Sequence, residues 1–246
     1  RAIDPRLCGV PLLVRGEEGT GRSLLARYVH TFSGSGEETF VHVSCDEIAR
    51  ADDLLAQIRE SGAVGREDCW TIWLQDVDRL SVPLQRRVQD WIEFGLPDGT
   101  LRVSKLRWIL GASDETELYV TPGLDPRLAQ AISGLSVRIP ALRERPECVA
   151  PFVADTTLYW CNAYGERLRR FSDDALQLLR EHPWPGNLHE LESVVIRTLS
   201  FTSADPILPV HLRFPGDGTC LPLPESMQAV AVQDETGIPE ATLVED

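Results

Sequence analysis

At 246 residues the chain is long enough for one large domain, or a large one with a small companion. With 43% hydrophobic and 25% charged residues it has the composition of a globular protein, and no apolar run approaches the roughly 18–20 residues of a membrane-spanning helix. Its formal net charge of −14 argues against direct nucleic-acid binding by this segment, because clustered lysine and arginine supply most of the affinity for phosphate backbones. No signal-peptide pattern opens the sequence, so the expected compartment is the cytoplasm, with no membrane contact. The first residue is Arg1 and the only methionine is Met227, which suggests a segment of a longer protein. Six cysteines, at 8, 45, 69, 148, 161 and 220, form no CxxC pair and no metal-like cluster, so free buried thiols are expected. Among the 24 basic residues only Lys105 is a lysine, so an arginine in a lysine's usual place can reflect bias as well as design.

In chain order, residues 10–15 (VPLLVR) read as a short buried strand running into Gly16. SLLARYVHTF, from Ser23, has helical spacing, and residues 39–44 (TFVHVS) alternate as a second strand. ADDLLAQIRES is helical; residues 70–74 (WTIWL) form a third strand ending in Gln75-Asp76-Val77-Asp78. LQRRVQDWIEFG reads as an amphipathic helix closed by Gly95. Residues 107–112 and 135–139 give a fourth and a fifth strand. This alternation predicts a parallel, doubly wound α/β sheet. After Pro140 the pattern changes: residues 147–165, 172–182 and 187–201 are all helical with no strand between them, which predicts a small all-α unit. The stretch from about Pro215 is rich in proline, glycine and acid, and is expected to be disordered.

The motif with most chemistry is Gly16-Glu17-Glu18-Gly19-Thr20-Gly21-Arg22-Ser23, which fits G-x-x-x-x-G-K-[ST] everywhere except the lysine. Glycines let backbone N–H groups curl around phosphates, and the following helix adds the positive end of its dipole. Arg22 keeps the charge, but its planar fork is not equivalent to a point-charge ammonium. A glycine-rich turn with no ligand is the competing interpretation.

On these residues the chain resembles the central AAA+ domain of sigma-54-dependent bacterial transcriptional activators. GEEGTGRSLLARYVH resembles that family's GESGTGKE-x-x-AR-x-(I/L)H stretch, and FVHVSC its second strand. RIPALRERPECVAPFV is similar to its R-L-P-P-L-R-E-R-x-E-D-I run, and WPGNLHELESVV to its WPGNVRELENV signature. The resemblance covers about residues 8–213 in the right order. It implies a P-loop AAA+ core over residues 1–145, a helical lid over 146–213 and a tail over 214–246. It also implies ATP or ADP with magnesium as the ligand, held against Gly16 to Ser23 and Leu24.

The departures fall on the hydrolytic positions. ATP hydrolysis needs a metal near the phosphates, an oriented water and positive charge on the transition state. The family's LDE, whose acids serve metal and water, reads Leu74-Gln75-Asp76 here. Gln75 is neutral and Asp76 is one methylene shorter than glutamate, so magnesium would rest on Ser23 and Asp76, with a shifted register using Asp76 and Asp78 as the alternative. The trans-acting arginine positions carry Asp125 and Ala131, with Arg127 displaced by two residues. Such an arginine is worth roughly 10³–10⁵ in turnover. The lid's sensor arginine is His189, and the fourth strand's polar sensor is Asp114, an acid expected to face the phosphates. The family's Gly-Ala-Phe-Thr-Gly-Ala loop, which touches sigma-54, has no counterpart in residues 46–70; residues 61–65 are at most its remnant.

The resemblance and its departures imply a degenerate, ATPase-inactive regulatory or assembly module that does not engage sigma-54 and retains a nucleotide cradle. A slow ATPase using Asp76 and a nucleotide-free interaction scaffold are the alternatives. The expected partners are other domains of the same regulator, other proteins, or further copies of the chain. Trp70, Trp73, Trp91, Trp108 and Trp184 read as core, Arg143 and Arg145 as contacts to nucleotide or to a neighbouring subunit or as structural ion pairs, and Ser172-Asp173-Asp174 as a helix cap.

Overall fold

Apolar runs too short for a stable helix become strands when both their faces are covered. Five do so in the computed structural model, which describes residues 9–33, 39–46, 48–60, 69–97, 105–114 and 123–214. They are β1 (Leu12–Arg15), β2 (Phe40–Ser44), β3 (Cys69–Gln75), β4 (Lys105–Ala112) and β5 (Ser136–Arg138). All pair in parallel, in the order β2-β3-β4-β1-β5. The register sets Leu12 beside Ile109, and Ile72 beside Trp108.

Alternate residues of each strand feed opposite faces. Leu12, Val14, Trp73 and Ile109 pack against Ala26 and Val29 of α1 (Arg22–Thr31). Leu13, Ile72, Leu74, Trp108 and Leu110 pack on the other face against α2 (Ala51–Glu60), α3 (Val82–Phe94) and α4 (Pro126–Ile132). The expected strands and helices are present to within a few residues. Gly95 closes α3, donating its N–H to the Trp91 carbonyl. α4 was not foreseen: it is only 7 residues long, although Asp125 caps it and Pro126 opens it. At Gly111 a Cβ would lie 2.5 Å from the Trp73 ring, so the sheet admits no side chain there. Gly111→Ala is expected to lower stability by about 1–3 kcal/mol in urea titration, as overpacking of a filled core does; an unchanged midpoint would contradict the close approach.

After Ile139 the chain turns helical in α5 (Val149–Tyr164), α6 (Asp173–Glu181) and α7 (Asn187–Phe201). Ser172 caps α6 as expected, its hydroxyl accepting from the Ala175 N–H. Trp160, Leu179, Trp184, Leu191, Val195 and Leu199 fill the helical core. Arg169 lies over the Trp160 ring and donates to the Leu199 and Thr202 carbonyls at the end of α7, where a cation complements the helix dipole. All five tryptophans expected in the core are at most 5% exposed. Cys45 and Cys161 are buried free thiols, and burial pushes the Cys45 thiol up to about 12; Cys148 is half-buried. Cys8, Cys220 and the Cys69 side chain lie outside the described residues.

Strands and helices as far as Leu212 form one compact unit; of a second unit, Arg213–Asp246, only Arg213 and Phe214 are described. The expectation of a disordered tail, and the segment at 61–65, fall outside the described residues.

Candidate functional site

The glycine loop leaves the carboxyl end of β1, where ligands gather in open α/β sheets. Gly16 donates its N–H to the Ala112 carbonyl at the end of β4, which ties the loop's start to the sheet. The Thr20 hydroxyl and N–H both donate to the Glu17 carbonyl, at 2.7 and 3.4 Å, and tighten the turn. Gly19 and Gly21 take left-handed conformations with φ of 74° and 96°. The N–H groups of Gly19, Gly21, Arg22 and Ser23 have no acceptor among the described residues, and they crowd at the amino end of α1. That backbone is suited to phosphate oxygens.

The side chains are committed elsewhere. Arg22 turns inward, and its Nη1 lies 2.6 Å from Asp76 Oδ1, with the two side chains 7% and 6% exposed. Asp76 is held just beyond β3 in a left-handed conformation, φ 58° and ψ 49°. Beside it the Gln75 Oε1 accepts from the Ser23 hydroxyl at 3.3 Å and lies 2.9 Å from His42 Nε2, while its Nε2 donates to Asp76 Oδ2 at 3.4 Å. Magnesium wants charged oxygens in an octahedral shell at about 2.0–2.1 Å. The two side chains expected to supply them, Ser23 and Asp76, are bonded instead to a neutral amide and a guanidinium. The residues present therefore fit phosphates but not magnesium.

A second group of contacts joins the loop to the helical unit. Asn187, fully buried and left-handed at φ 52°, donates through Nδ2 to the Glu18 carbonyl at 2.8 Å and to Glu17 Oε2 at 3.2 Å. Its Oδ1 accepts from the Leu142 N–H at 2.8 Å, and next to it the Leu188 N–H donates to the Gly19 carbonyl at 2.9 Å. Arg143 grips both oxygens of Glu17, one at 2.8 Å. Hydrogen bonding from Arg143, assisted by Asn187 and opposed by burial, holds the Glu17 carboxyl below the usual carboxylate range. Arg145 donates to the Thr20 carbonyl at 2.8 Å. Both arginines thus make intramolecular contacts, one an ion pair and one a loop brace.

Asp114, expected to face the phosphates, is paired with an arginine of its own chain. Arg138 on β5 binds both of its oxygens, at 2.7–3.1 Å, and also reaches both oxygens of Glu144 at 2.9 and 3.0 Å. These two carboxylates raise the Arg138 guanidinium further above its usual range. His189 is exposed in the first turn of α7, and its ring has no partner among the described residues. Leu24 is 67% exposed, so only its backbone belongs to the loop. Asp125 is 4% exposed and structural: it caps α4 through the Arg127 N–H and pairs with Arg86 at 3.0 Å. Arg127 itself is exposed.

Three residues escaped the sequence reading. Asn187 lies inside WPGN, and asparagine is a residue that tolerates left-handed backbone, which was its signal. Arg138 opens the RIPALRER run, which was its signal, but its partners are decided by strand order. Gln85, 1% exposed, donates to the Leu80 and Gly123 carbonyls and accepts from the Asp125 N–H, fixing the entry to α4.

Comparison with known proteins agrees with this geometry. Residues 7–142 match the family described as the sigma-54 interaction domain, and residues 143–215 match the AAA+ ATPase lid domain. The chain is 24% identical over 240 residues to the alginate biosynthesis transcriptional regulatory protein AlgB of Pseudomonas aeruginosa, covering 91% of this chain and 54% of that one. It is 26% identical to the DNA-binding transcriptional regulator NtrC of Rhizobium meliloti, covering 80% and 44%. It is 30% identical to the Nif-specific regulatory protein of Klebsiella pneumoniae, covering 76% and 39%. The chain thus spans about half the length of the curated relatives it matches. Among solved structures, NtrX of Brucella abortus in complex with ATP superposes with a TM-score of 0.67 at 21% identity, covering 95% of this chain and 58% of that one. RuvB of Thermotoga maritima gives 0.62 at 13%, covering 82% and 60%. These two likenesses establish the fold: a parallel five-stranded AAA+ sheet with a helical lid.

Proposed function

Because the chain belongs to the sigma-54 interaction family of AAA+ domains of bacterial transcriptional regulators, we propose that it is a regulatory or assembly module which holds a nucleotide without hydrolysing it. The observation that carries this reading is the buried ion pair of Arg22 with Asp76, 2.6 Å apart. Hydrolysis needs a cation on the phosphates and carboxylates on the metal and the water. Here the loop's cation and the strand's carboxylate neutralise each other. Gln75 adds no charge and ties up Ser23. The intact glycine loop, with its unpaired N–H groups, supports retained nucleotide binding, as does the ATP complex of NtrX.

In this reading residues 1–145 are the nucleotide-binding core, 146–213 the lid and 214–246 an appended tail. The module works in the cytoplasm through other domains of its regulator, partner proteins or copies of itself, without binding nucleic acid directly. It leaves sigma-54 unengaged, since residues 46–70 carry no Gly-Ala-Phe-Thr-Gly-Ala motif. A nucleotide-free scaffold is the second reading, favoured by the number of loop groups already bonded to the lid.

Purified protein incubated with ATP and magnesium is expected to release no phosphate above background. Turnover on the order of 1 per second, within the usual enzyme range, that Asp76→Ala abolishes would overturn the proposal.

A further inference from the structure

We infer that the Asp76 carboxylate is an internal competitor for the charge that Arg22 would offer a phosphate, so that the cradle's affinity is held down from within, and that neutralising Asp76 raises it for a nucleoside diphosphate without magnesium. The inference rests on residues 16–23 being a nucleotide cradle.

Arg22 is the first residue of α1 and follows the loop directly, so its backbone N–H already faces the cradle. Its guanidinium, 7% exposed, has Asp76 as its partner among the described residues. Other cations around the loop are compensated too: Arg143 by Glu17, Arg79 by Asp46, and Arg138 by Asp114 and Glu144. Arg145 braces the loop through the Thr20 carbonyl. An arriving phosphate therefore meets backbone N–H groups but little free positive charge. To gain Arg22 it must displace a carboxylate that is buried, 2.6 Å away and tethered to the same sheet.

Removing one partner of a buried ion pair leaves the other charge uncompensated and destabilises the fold. In an Asp76→Asn variant that penalty falls on Arg22, and a bound phosphate relieves it. The ligand then stabilises the folded state by supplying the missing charge, and mass action makes this visible as tighter binding and a larger melting shift. Magnesium has no part in this, because the substitution removes the carboxylate next to Gln75, the side chain that accepts from Ser23, and leaves only neutral amides at these two positions.

The test titrates ADP into the full chain by calorimetry, for the parent and for Asp76→Asn, with EDTA and with magnesium, alongside thermal melts. ADP is expected to bind Asp76→Asn about tenfold tighter than the parent or better, equally in EDTA and in magnesium. Without ligand the variant is expected to melt below the parent, and ADP to raise its melting temperature by more. Arg22→Gln combined with Asp76→Asn, which leaves no charge at this buried pair, is expected to fold and lose the gain. Equal or weaker ADP binding by Asp76→Asn, or a gain confined to magnesium, overturns the inference. So does a variant that is unfolded alone and stays unfolded in millimolar ADP. Phosphate release by the parent is read separately: an active parent refutes the proposed function while a gain at Asp76→Asn still supports the internal competitor, and an inert parent with no gain refutes only the latter.

Discussion

Gly19→Ala is expected to prise the lid from the phosphate loop and to cost about 4 kcal/mol of stability in denaturant titration. Two independent penalties meet at this residue. Its φ of 74° puts any Cβ in the left-handed region, which costs roughly 1–2 kcal/mol. A Cβ there would also lie 2.3 Å from the carbonyl oxygen of Gly186, and a backbone atom at a helix start cannot swing aside as a side chain does. The loop must retreat, which breaks the Leu188 N–H bond to the Gly19 carbonyl and the Asn187 bond to the Glu18 carbonyl. Each buried polar group left unpaired adds about 1–3 kcal/mol. Hydrogen exchange gives an independent readout, since the Leu188 amide is expected to lose protection before the strand amides of β1 do. A loss of stability below about 1 kcal/mol, with Leu188 still protected, would show that the seam accommodates a methyl group.

Asn187→Ala is expected to cost about 3–4 kcal/mol, from lost bonds and backbone strain together. Its one amide holds three separate stretches: the loop at Glu17 and Glu18, the connector at Leu142 and the start of α7. Alanine leaves the buried Leu142 N–H without its acceptor and keeps a left-handed φ of 52° that alanine adopts poorly. Asn187→Gly separates the two causes. Glycine is at ease in that conformation, so it should be about 1 kcal/mol less damaging than alanine, with the remainder measuring the bonds. If glycine and alanine prove equally harmful, backbone strain plays no part. Asn187→Asp tests the electrostatics, because a second carboxylate would face Glu17 across a 3.2 Å contact and repel it.

The seam is also where the loop's charges are spent. Glu17 accepts from Arg143 and Asn187, Arg145 braces Thr20, and Arg22 is drawn under the loop to Asp76. The loop's charged side chains are thus satisfied by their own chain, which leaves its backbone N–H groups as the part suited to a phosphate.

Much of this could be read from the sequence, for a local reason. Short apolar runs ending at Gly16 or at Gln75, and helices with apolar residues three and four apart, are determined by near neighbours. Their type and order were therefore legible, as were the glycine loop between strand and helix and the strandless stretch after Pro140. α4 was missed because 7 residues give too little periodicity, although its Asp125-Pro126 start was visible. Other contacts depend on which strands become neighbours. Hydrophobic pattern does not encode the order β2-β3-β4-β1-β5, yet that order brings Asp114 to Arg138, 24 residues on, and Gln75 to His42, 33 residues back. It also sets the end of β3 under the first turn of α1, where Asp76 meets Arg22. Asn187 reaches Glu17 across 170 residues because the lid returns over the loop. The sequence by itself determined that a glycine loop of phosphate-binding pattern lies between β1 and α1, with Arg22 where that pattern carries lysine. Only the tertiary structure decided where that charge points, because the direction of a long side chain follows the nearest buried opposite charge, and the strand order brings Asp76 there.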